Sequence, residues 1–511
     1  MILIHPPVSK PSEAPAGLAK LAGCLHANCI DHEIIDMNLE GLLYLLTCSK
    51  LENDFNDRWI TRAWKHRLTN ISALRDGKIY QNPGRYRRAV SDINHLINQA
   101  GKAYSVDLNL TDYRAAKLTP VKTSDLLQSA EKPELNPFFP YFSFRLRQAL
   151  EENPDFIGFS LNYLSQALCT FAMIGFIRRM NQQQKIILGG SLVTSWIKIK
   201  AGSNLFPGLV DEMVAGAGER KLLDLLGCKN GLITAIPALQ DFPVSDYLSP
   251  VPILPFSTAQ GCYWRQCSFC PEKAEDNRYL PQPVPEVLAN LQALKNELHP
   301  GLIHLVDNAL SPAFLNAFAK SGLCIPWYGF ARISQHLTDD DFCRQLKHSG
   351  CTMLKLGIES GDQAVLDSLN KGIELQTVSQ ALKTIKRAGI GTYIYLLFGT
   401  PPENEESARK TLSFVIDHHD FIDFLNLAIF NLPALSEEAK NLSTGDFYEG
   451  DLSLYKNFIH PLGWQRSDVR KFLEKTFKKH PAVNKIILRN PDYFTSNHAP
   501  FFTGTRQWIS P

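Results

Sequence analysis

The chain has 511 residues, 44% of them hydrophobic and 20% charged, with a formal net charge of +2 at pH 7. This composition predicts a globular protein of two or three domains. The near-neutral charge excludes a surface built to coat nucleic acid, so nucleic acid is not an expected partner.

The apolar start of the chain is short. Met1–Ile4 is followed at once by His5, Pro6 and Pro7, which makes it too short for a signal peptide. No apolar run approaches the length of a membrane span, so we expect no membrane partner. The 11 cysteines are odd in number and scattered, as in proteins of a reducing compartment, and we therefore expect a cytoplasmic protein.

Residues 1–235 alternate between strand and helix patterns, which is typical of a doubly wound, Rossmann-like α/β domain. Short apolar runs predict the strands, and apolar residues at helical spacing predict the connecting helices. The predicted strands are 1–4, 32–36, 155–160, 185–188 and 210–214, and the predicted helices include 16–25 and 165–180.

Residues 42–145 interrupt this pattern and are rich in charged and aromatic side chains. We interpret them as a mostly helical insertion. A basic cluster in the insertion suggests a polyanion partner, but a solvated helix face is the favoured interpretation. The cluster consists of Lys65, Arg67, Arg85, Arg87 and Arg88. A linker of turn residues at 236–252 precedes the next domain.

Small and polar residues follow several predicted strands of the first domain. Ligands of open parallel sheets bind beyond the carboxyl ends of the strands, where glycines let a large flat ligand approach the backbone. A plain strand-to-helix turn would explain either glycine cluster alone. The residues concerned are Ser160, Gly189, Gly190, Ser191, Gly216, Gly218 and Glu219.

Residues 253–435 repeat the strand–helix pattern six times, which predicts an incomplete, TIM-like (β/α)6 barrel with its site at the carboxyl ends of the strands. The predicted strands are 251–256, 302–307, 327–332, 353–359, 392–398 and 424–430. Residues 436–511 are expected to form a helical C-terminal region. Its aromatic side chains either pack on the barrel, which is the favoured interpretation, or close the active site: Trp464, Phe501, Phe502 and Trp508.

One loop after the first barrel strand carries three closely spaced cysteines, Cys262, Cys267 and Cys270. Three thiolates can hold three irons of a cubane cluster and leave the fourth iron open to a substrate or cofactor. The alternative is a structural zinc ion, which takes four ligands. The residues that follow Cys270 offer no further cysteine or histidine as a fourth ligand.

At this loop the sequence resembles the radical S-adenosylmethionine (radical SAM) enzymes, and more narrowly their branch with an N-terminal cobalamin-binding domain. The usual signature has three residues between the first two cysteines. Here there are four, within Gly-Cys-Tyr-Trp-Arg-Gln-Cys, a spacing that recurs in the cobalamin-binding branch. The resemblance implies a single [4Fe–4S] cluster on the three cysteines.

The resemblance also implies contacts to SAM along the barrel. Phe269 would lie near the adenine, and Asp307 and Asn308 would contact the methionine amino group. Gly357–Gly361 matches a family motif that reaches SAM, and Gly399–Glu403 resembles the family's Gly-x-Pro-Gly-Glu turn, with Pro402 in place of the second glycine. The expected SAM-binding residues are Phe269, Asp307, Asn308, Arg332, Glu359, Ser360 and Gly399.

In the first domain the resemblance implies a cobalamin site. A proline-rich loop after the first strand faces the corrin in that family. The expected cobalamin-binding residues are Pro6, Pro7, Gly17, Ser160, Leu161, Gly189, Gly190, Ser191, Gly216, Gly218 and Glu219. The Asp-x-His-x-x-Gly loop that supplies a cobalt ligand in many cobalamin proteins is missing, so we expect no protein histidine on cobalt. His5 is a minor candidate ligand, and a structural role at the strand end is favoured.

The function implied is that of a cobalamin-dependent radical SAM methyltransferase. One SAM would yield a 5′-deoxyadenosyl radical that takes hydrogen from an unactivated carbon of a small molecule or peptide, and methylcobalamin would supply the methyl group. A flavodoxin- or ferredoxin-like protein would donate the electron. The alternatives are a cyclase or rearrangement enzyme without methyl transfer, and a non-catalytic cobalamin- or metal-binding sensor.

Overall fold

The computed structural model describes residues 1–47, 57–202, 204–491 and 499–502. It divides into two compact units, one formed by residues 1–253 with 448–454 and the other by 254–447 with 455–511. Trp508, considered above for closure of the site, lies outside the described residues. None of the described helices is both long enough and apolar enough to cross a membrane.

The first unit contains a five-stranded parallel sheet in the order β2-β1-β5-β6-β7. The strands of the unit are β1 Ile2–His5, β2 Glu33–Asp36, β3 Val106–Leu108, β4 Tyr113–Ala115, β5 Phe156–Ser160, β6 Lys185–Gly189 and β7 Glu212–Val214. The helices are α1 Ala16–Ala27, α2 Met37–Thr47, α3 Arg58–Leu74, α4 Pro83–Lys102, α5 Thr123–Glu131, α6 Phe139–Glu151, α7 Leu164–Met180, α8 Ser191–Ile199 and α9 Glu219–Leu225.

Burial explains why the central strands form. All four residues of β1 are buried, and the middle of β5 and β6 is buried as well. Parallel strands covered on both faces read as continuous apolar runs, as they do here. The order of the strands reverses beside β1, so β1 and β5 mark the switch point where doubly wound sheets bind ligands. The prediction of a doubly wound α/β domain is confirmed.

The segment between β2 and β5 is mostly helical and includes a two-stranded hairpin, β3–β4. Helices α3 and α4 pack together, and an open groove of about 620 Å³ is lined by residues of both. Arg85 and Arg88 line this groove, whereas the Arg67 guanidinium lies over the Trp64 ring at 3.9 Å. Only part of the basic cluster therefore faces one surface.

The second unit contains a six-stranded sheet in the order β15-β14-β13-β12-β11-β8. Its strands are β8 Ile253–Phe256, β9 Ala259–Gln260, β10 Leu280–Pro281, β11 Leu302–Leu310, β12 Trp327–Ala331, β13 Cys351–Glu359, β14 Gly391–Phe398, β15 Phe424–Ile429, β16 Leu432–Pro433, β17 Thr444–Asp446 and β18 Tyr455–Phe458. Its helices are α10 Pro271–Ala274, α11 Val284–Leu298, α12 Pro312–Ala319, α13 Asp340–His348, α14 Gln363–Ser368, α15 Leu375–Arg387, α16 Glu405–Asp417, α17 Glu437–Asn441, α18 Arg466–Phe472 and α19 Pro481–Ile487.

Each strand of this sheet from β11 to β14 pairs in parallel with the next strand along the chain, which ends the series at β15. Sequential parallel strands joined by helices are the topology of the predicted partial barrel. After β15 the structure adds a three-stranded antiparallel sheet, β16-β18-β17, to the expected C-terminal helices. Phe502 packs at the start of β14, where its ring meets Phe424 at 5.6 Å, so it lies at the amino ends of the strands.

Candidate active site

The cysteine loop begins at a buried hydrogen-bonded anchor. The Asp307 carboxylate is 3% exposed and accepts hydrogen bonds from Thr258, at 3.0 and 3.1 Å from the backbone nitrogen and 2.7 Å from Oγ1. Burial raises the pKa of Asp307, and the Thr258 hydrogen bonds oppose this rise. Strand β11 continues to Leu310, so Asp307 lies inside the strand rather than at its end, and Asn308 is exposed on the other face. Asp307 thus fixes the first residues of the loop.

The middle of the cysteine loop is braced by the turn after α14. Ser268 donates its backbone N–H to the Leu369 carbonyl at 3.0 Å, and Trp264 donates its indole N–H to the Asn370 carbonyl at 3.1 Å. The Trp264 ring lies against Gly372, which has a φ of +65°. A Cβ atom on Gly372 would come within 2.1 Å of Trp264 Cζ2, so only glycine permits this contact.

Arg332 completes the brace from the end of β12. Its guanidinium lies 4.2 Å from the centre of the Trp264 ring and donates to the Lys371 carbonyl. A guanidinium stacked on an aromatic face combines packing with an electrostatic attraction. Arg332 therefore has a structural partner on each side, the cysteine loop and the turn at 371–372.

A buried ion pair lies beside the loop. Lys371 Nζ donates to Glu359 Oε1 at 2.7 Å, and the two side chains are only 8% and 12% exposed. The same Lys371 Nζ is 5.6 Å from the centre of the Phe269 ring. Glu359 ends β13 with a φ of +69°, a left-handed conformation that is uncommon for a residue other than glycine. This pair links the last residue of β13 to the aromatic residue that precedes Cys270.

Burial and nearby charge act in opposite directions on the cysteine thiols. Burial raises the pKa of Cys267, while the positive charges of Lys371 and Arg332 lower it. Burial raises the pKa of Cys270 to about 11, and hydrogen bonds from the backbone N–H groups at the start of α10 oppose this rise. Both cations thus favour the thiolate form of Cys267, which is the form that binds metal. Three sulfur donors in such a setting suit an iron–sulfur cluster with one open iron.

Ser360 and Gly399, two further residues predicted to bind SAM, make local contacts. Ser360 is fully buried, and its hydroxyl lies 3.2 Å from that of Thr411 and accepts from the backbone N–H of Asp362 at 3.1 Å. Gly399 has a φ of +78° and donates its N–H to the carboxylate of Glu403. The turn at 399–403 therefore closes on itself with Pro402 in place.

Glu403 is a buried carboxyl group that the sequence analysis did not single out as a site residue. It is 0% exposed, and its Oε2 accepts the Trp464 indole N–H at 3.2 Å. Its Oε1 is buried without a hydrogen-bond partner among the described residues. Burial raises the pKa of Glu403 to about 7. A cavity of about 30 Å³, room for about two waters, lies beside Gly399 and Trp464.

This carboxyl group predicts a pH dependence of stability. The unfolded chain loses the Glu403 proton near pH 4.5, whereas the folded chain keeps it until about pH 7. The stability contributed by Glu403 is therefore fully present below pH 4.5 and is lost as the pH rises through about 7. Between about pH 6 and about pH 8 we expect the wild type to lose about 1 kcal/mol more than Glu403→Gln. Thermal midpoints measured across this range check it, and parallel curves would contradict it.

The first unit gathers its predicted residues at the carboxyl edge of its sheet. Pro6 and Pro7 follow β1, Ser160 ends β5, Gly189 ends β6, and Gly216 follows β7. The remaining predicted positions on this edge are Leu161, Gly190, Ser191, Gly218 and Glu219, and Gly17 lies in the first turn of α1. Nothing lies within 4 Å of where a Cβ atom would stand on Gly17 or Gly216. These two glycines face open space.

Asn162 joins the loops that follow β5 and β6 in the middle of this edge, and it was not among the predicted site residues. The Asn162 amide accepts the Ser191 backbone N–H at 3.0 Å and donates to Ser160 Oγ at 3.0 Å. Gly190 has a φ of +115°, and a Cβ atom there would lie 2.3 Å from the Leu161 carbonyl oxygen. Asn162 directly follows a strand end, so the rule that predicted Ser160 would have found it.

Three of the predicted positions have partners inside the unit. The Glu219 carboxylate is 2.6 Å from Lys20 Nζ. The Leu161 side chain is fully buried, and its backbone N–H donates to the Gly189 carbonyl at 2.7 Å. The Pro6 carbonyl accepts from the Gln166 amide at 2.7 Å. His5 is 5% exposed, lies 2.8 Å from Ser9 through Nε2, and has a buried Nδ1 without a partner among the described residues.

Residues 256–415 match the model of the radical SAM superfamily, and this stretch includes the three cysteines and their brace. A radical SAM domain is therefore shown for this stretch of the chain. The radical SAM domain thus corresponds to the partial barrel of the second unit.

Two curated relatives share 23% sequence identity with this chain. One is an uncharacterized methyltransferase of Pyrococcus horikoshii, aligned over 53% of this chain and 66% of the relative. The other is an anaerobic magnesium-protoporphyrin IX monomethyl ester cyclase of Rubrivivax gelatinosus, aligned over 55% of this chain and 58% of the relative. The chain therefore spans about three-fifths to two-thirds of the length of these relatives.

A solved structure shares the fold. The radical SAM methyltransferase TsrM from Kitasatospora setae, solved with cobalamin and a [4Fe–4S] cluster, matches with a TM-score of 0.52 and 14% identity. The match covers 86% of this chain and 77% of TsrM. A doubly wound α/β unit followed by a radical SAM domain is thus confirmed as the fold of this chain.

Proposed function

We propose that this protein is a cobalamin-dependent radical SAM methyltransferase that acts on an unactivated carbon of a small molecule or peptide. The observation that carries the proposal is the braced cysteine loop beside the Lys371–Glu359 pair. A loop held by three independent elements can keep a cluster and its ligand in one geometry, which catalysis by positioning requires. Gly17 and Gly216 of the first unit, which face open space, support the proposal that this unit binds cobalamin.

In this proposal Cys262, Cys267 and Cys270 hold the [4Fe–4S] cluster, and the donor set fits it because all three ligands are thiols. When bound, the cluster with SAM would supply a 5′-deoxyadenosyl radical, and cobalamin would supply the methyl group. The residues of the chain position these groups. Lys371 and Arg332 stabilise the thiolate of Cys267.

The proposed SAM site lies along the edge that follows β11, β12, β13 and β14. Phe269 offers an aromatic face, and Glu359 offers a carboxylate fixed by Lys371. Asp307 acts in this proposal through Thr258, by holding the start of the loop. The other residues proposed for SAM are Asn308, Arg332, Ser360 and Gly399.

The proposed cobalamin site is the carboxyl edge of the parallel sheet in the first unit. The residues proposed to hold the corrin and its substituents are Pro6, Pro7, Gly17, Ser160, Leu161, Gly189, Gly190, Ser191, Gly216, Gly218 and Glu219. Large ligands bind at this edge of doubly wound sheets. The open space at Gly17 and Gly216 fits a flat ligand.

We expect cobalamin to bind to the full chain without a histidine nitrogen on cobalt. His5 is the last residue of β1 and therefore lies at this edge, and its Nε2 is already 2.8 Å from the Ser9 hydroxyl. In the Co(II) state, electron paramagnetic resonance should lack nitrogen superhyperfine splitting. Splitting that disappears in His5→Ala would contradict the expectation, and the exposed His348 provides the control variant, His348→Ala.

The products decide the reaction class. A methyltransferase should form 5′-deoxyadenosine and S-adenosylhomocysteine in about equal amounts, because one SAM supplies the radical and another the methyl group. The measurement is mass spectrometry of reduced, cluster-loaded protein incubated anaerobically with SAM and extracts that contain candidate substrates. Absence of both products would favour a non-catalytic sensor and contradict the proposal.

A cyclase or rearrangement reaction is the second candidate. It is favoured by the match to the Rubrivivax gelatinosus cyclase, which resembles this chain as closely in identity as the methyltransferase does. A cyclase would form 5′-deoxyadenosine without S-adenosylhomocysteine.

In either case we propose a cytoplasmic enzyme that receives its electron from a flavodoxin- or ferredoxin-like protein.

A further inference from the structure

Three potential metal ligands meet in the first unit, away from the edge proposed for cobalamin. His26 lies at the end of α1, His32 immediately precedes β2, and Asp241 ends a short 3₁₀ turn, Leu239–Asp241. Asp241 Oδ2 lies 2.9 Å from His26 Nε2 and 3.1 Å from His32 Nε2. All three ligand atoms lie within 4.8 Å of one another. Three separate segments of the chain thus converge on one point.

The hydrogen bond of His32 to the backbone decides which of its ring nitrogens can bind a metal ion. Its Nδ1 lies 2.9 Å from the Ile30 carbonyl oxygen, which can only accept, so Nδ1 carries a proton. In a neutral imidazole the other nitrogen, Nε2, then presents a lone pair. That lone pair would face the Asp241 carboxylate, also an acceptor, at 3.1 Å. A metal ion bound by both atoms would satisfy this pair of acceptors.

The surroundings of His32 also suit a metal ion. A histidine that ligates a metal commonly donates its other ring N–H to a backbone carbonyl, as His32 does to Ile30. The His32 side chain is 2% exposed and held in place, and His26 brings a second imidazole to the same carboxylate oxygen. His26 is 50% exposed, which leaves one side of the group open to water.

We propose that His26, His32 and Asp241 bind a divalent transition-metal ion, with zinc as the best match. Two neutral imidazoles and one carboxylate are a common zinc donor set, and water would complete the tetrahedron. Zinc–ligand bonds of about 2.0–2.2 Å need only small movements from the observed spacing. The ion would tie the turn at 239–241 to α1 and β2.

The test measures zinc in the full-length, cluster-loaded chain after equilibration with zinc and desalting. We expect one more zinc per chain in the wild type than in Asp241→Asn, which keeps the size of the side chain but loses its charge. His348→Ala removes an exposed histidine outside the cluster and should bind as much zinc as the wild type. Equal zinc in the wild type and Asp241→Asn would overturn the proposal.

Thermal stability provides a second readout that does not depend on activity. Because a ligand that binds the folded state stabilises it, zinc should raise the thermal midpoint of the wild type and of His348→Ala but not that of Asp241→Asn. His26→Ala, at a half-exposed position, should behave like Asp241→Asn and serves if that variant does not fold. A wild type whose midpoint does not respond to zinc would contradict the proposal.

Discussion

Replacement of Cys267 by alanine should reduce the iron content of the anaerobically reconstituted protein to near zero and abolish cleavage of SAM. The wild type should contain about four irons per chain, the content of one [4Fe–4S] cluster. Cys267 is the most buried of the three loop cysteines and the one whose thiolate Lys371 and Arg332 stabilise. Iron analysis and mass spectrometry of 5′-deoxyadenosine measure the two effects.

The matched control is Cys324→Ala. Cys324 is an exposed cysteine outside the loop, and its replacement should leave iron and SAM cleavage unchanged. The triple variant of Cys262, Cys267 and Cys270 to alanine should contain almost no iron. Zinc instead of iron in the wild type, or about eight irons per chain, would contradict the single-cluster assignment.

Among replacements that keep all three cluster ligands, Lys371→Met should lower the stability of the folded protein most. The change leaves the Glu359 carboxylate buried and unpaired, which costs about 3 kcal/mol or more. We also expect SAM binding to weaken, because Glu359 then lacks the contact that orients it. Thermal melting and equilibrium dialysis with SAM measure these effects, and iron should be retained.

Lys440→Met is the control, because Lys440 also pairs with a carboxylate, Glu437, at 3.2 Å, but both side chains are exposed, at 69% and 79%. Exposed pairs contribute at most about 1 kcal/mol, so this variant should melt close to the wild type. The double variant Lys371→Met with Glu359→Gln should recover part of the stability, since it buries no unpaired charge. If Lys371→Met melted like Lys440→Met, the role given to the ion pair would be incorrect.

The alternation of strands and helices was predictable because apolar runs and turn residues mark it locally. The predicted strand 353–359, for example, corresponds to β13 Cys351–Glu359. The expected cluster ligands follow from three cysteines in one short loop. Both predictions depend on residues that are close together in the sequence.

The contacts that hold the site were not predictable in the same way. Lys371 lies in a turn after α14 with no motif around it, and its partner Glu359 belongs to β13. Trp264 and Gly372 are likewise brought together by packing between distant segments. The sheet β16-β18-β17 was missed because its strands are two to four residues long, too short for a period-2 pattern to be seen.

The segment Tyr448–Leu454 belongs to the first unit although it lies in the last quarter of the chain. Asp451 accepts hydrogen bonds from the backbone N–H and hydroxyl of Thr123 at 2.8 and 2.7 Å, and its carboxylate is 3.1 Å from Lys200 Nζ. A fragment that stops at Ile253 would therefore leave Thr123 and Lys200 without this partner. Gene fragments, split-protein designs and domain exchanges based on a single cut near Ile253 would each produce an incomplete first half, and a fusion that restores 448–454 through a short linker would complete it.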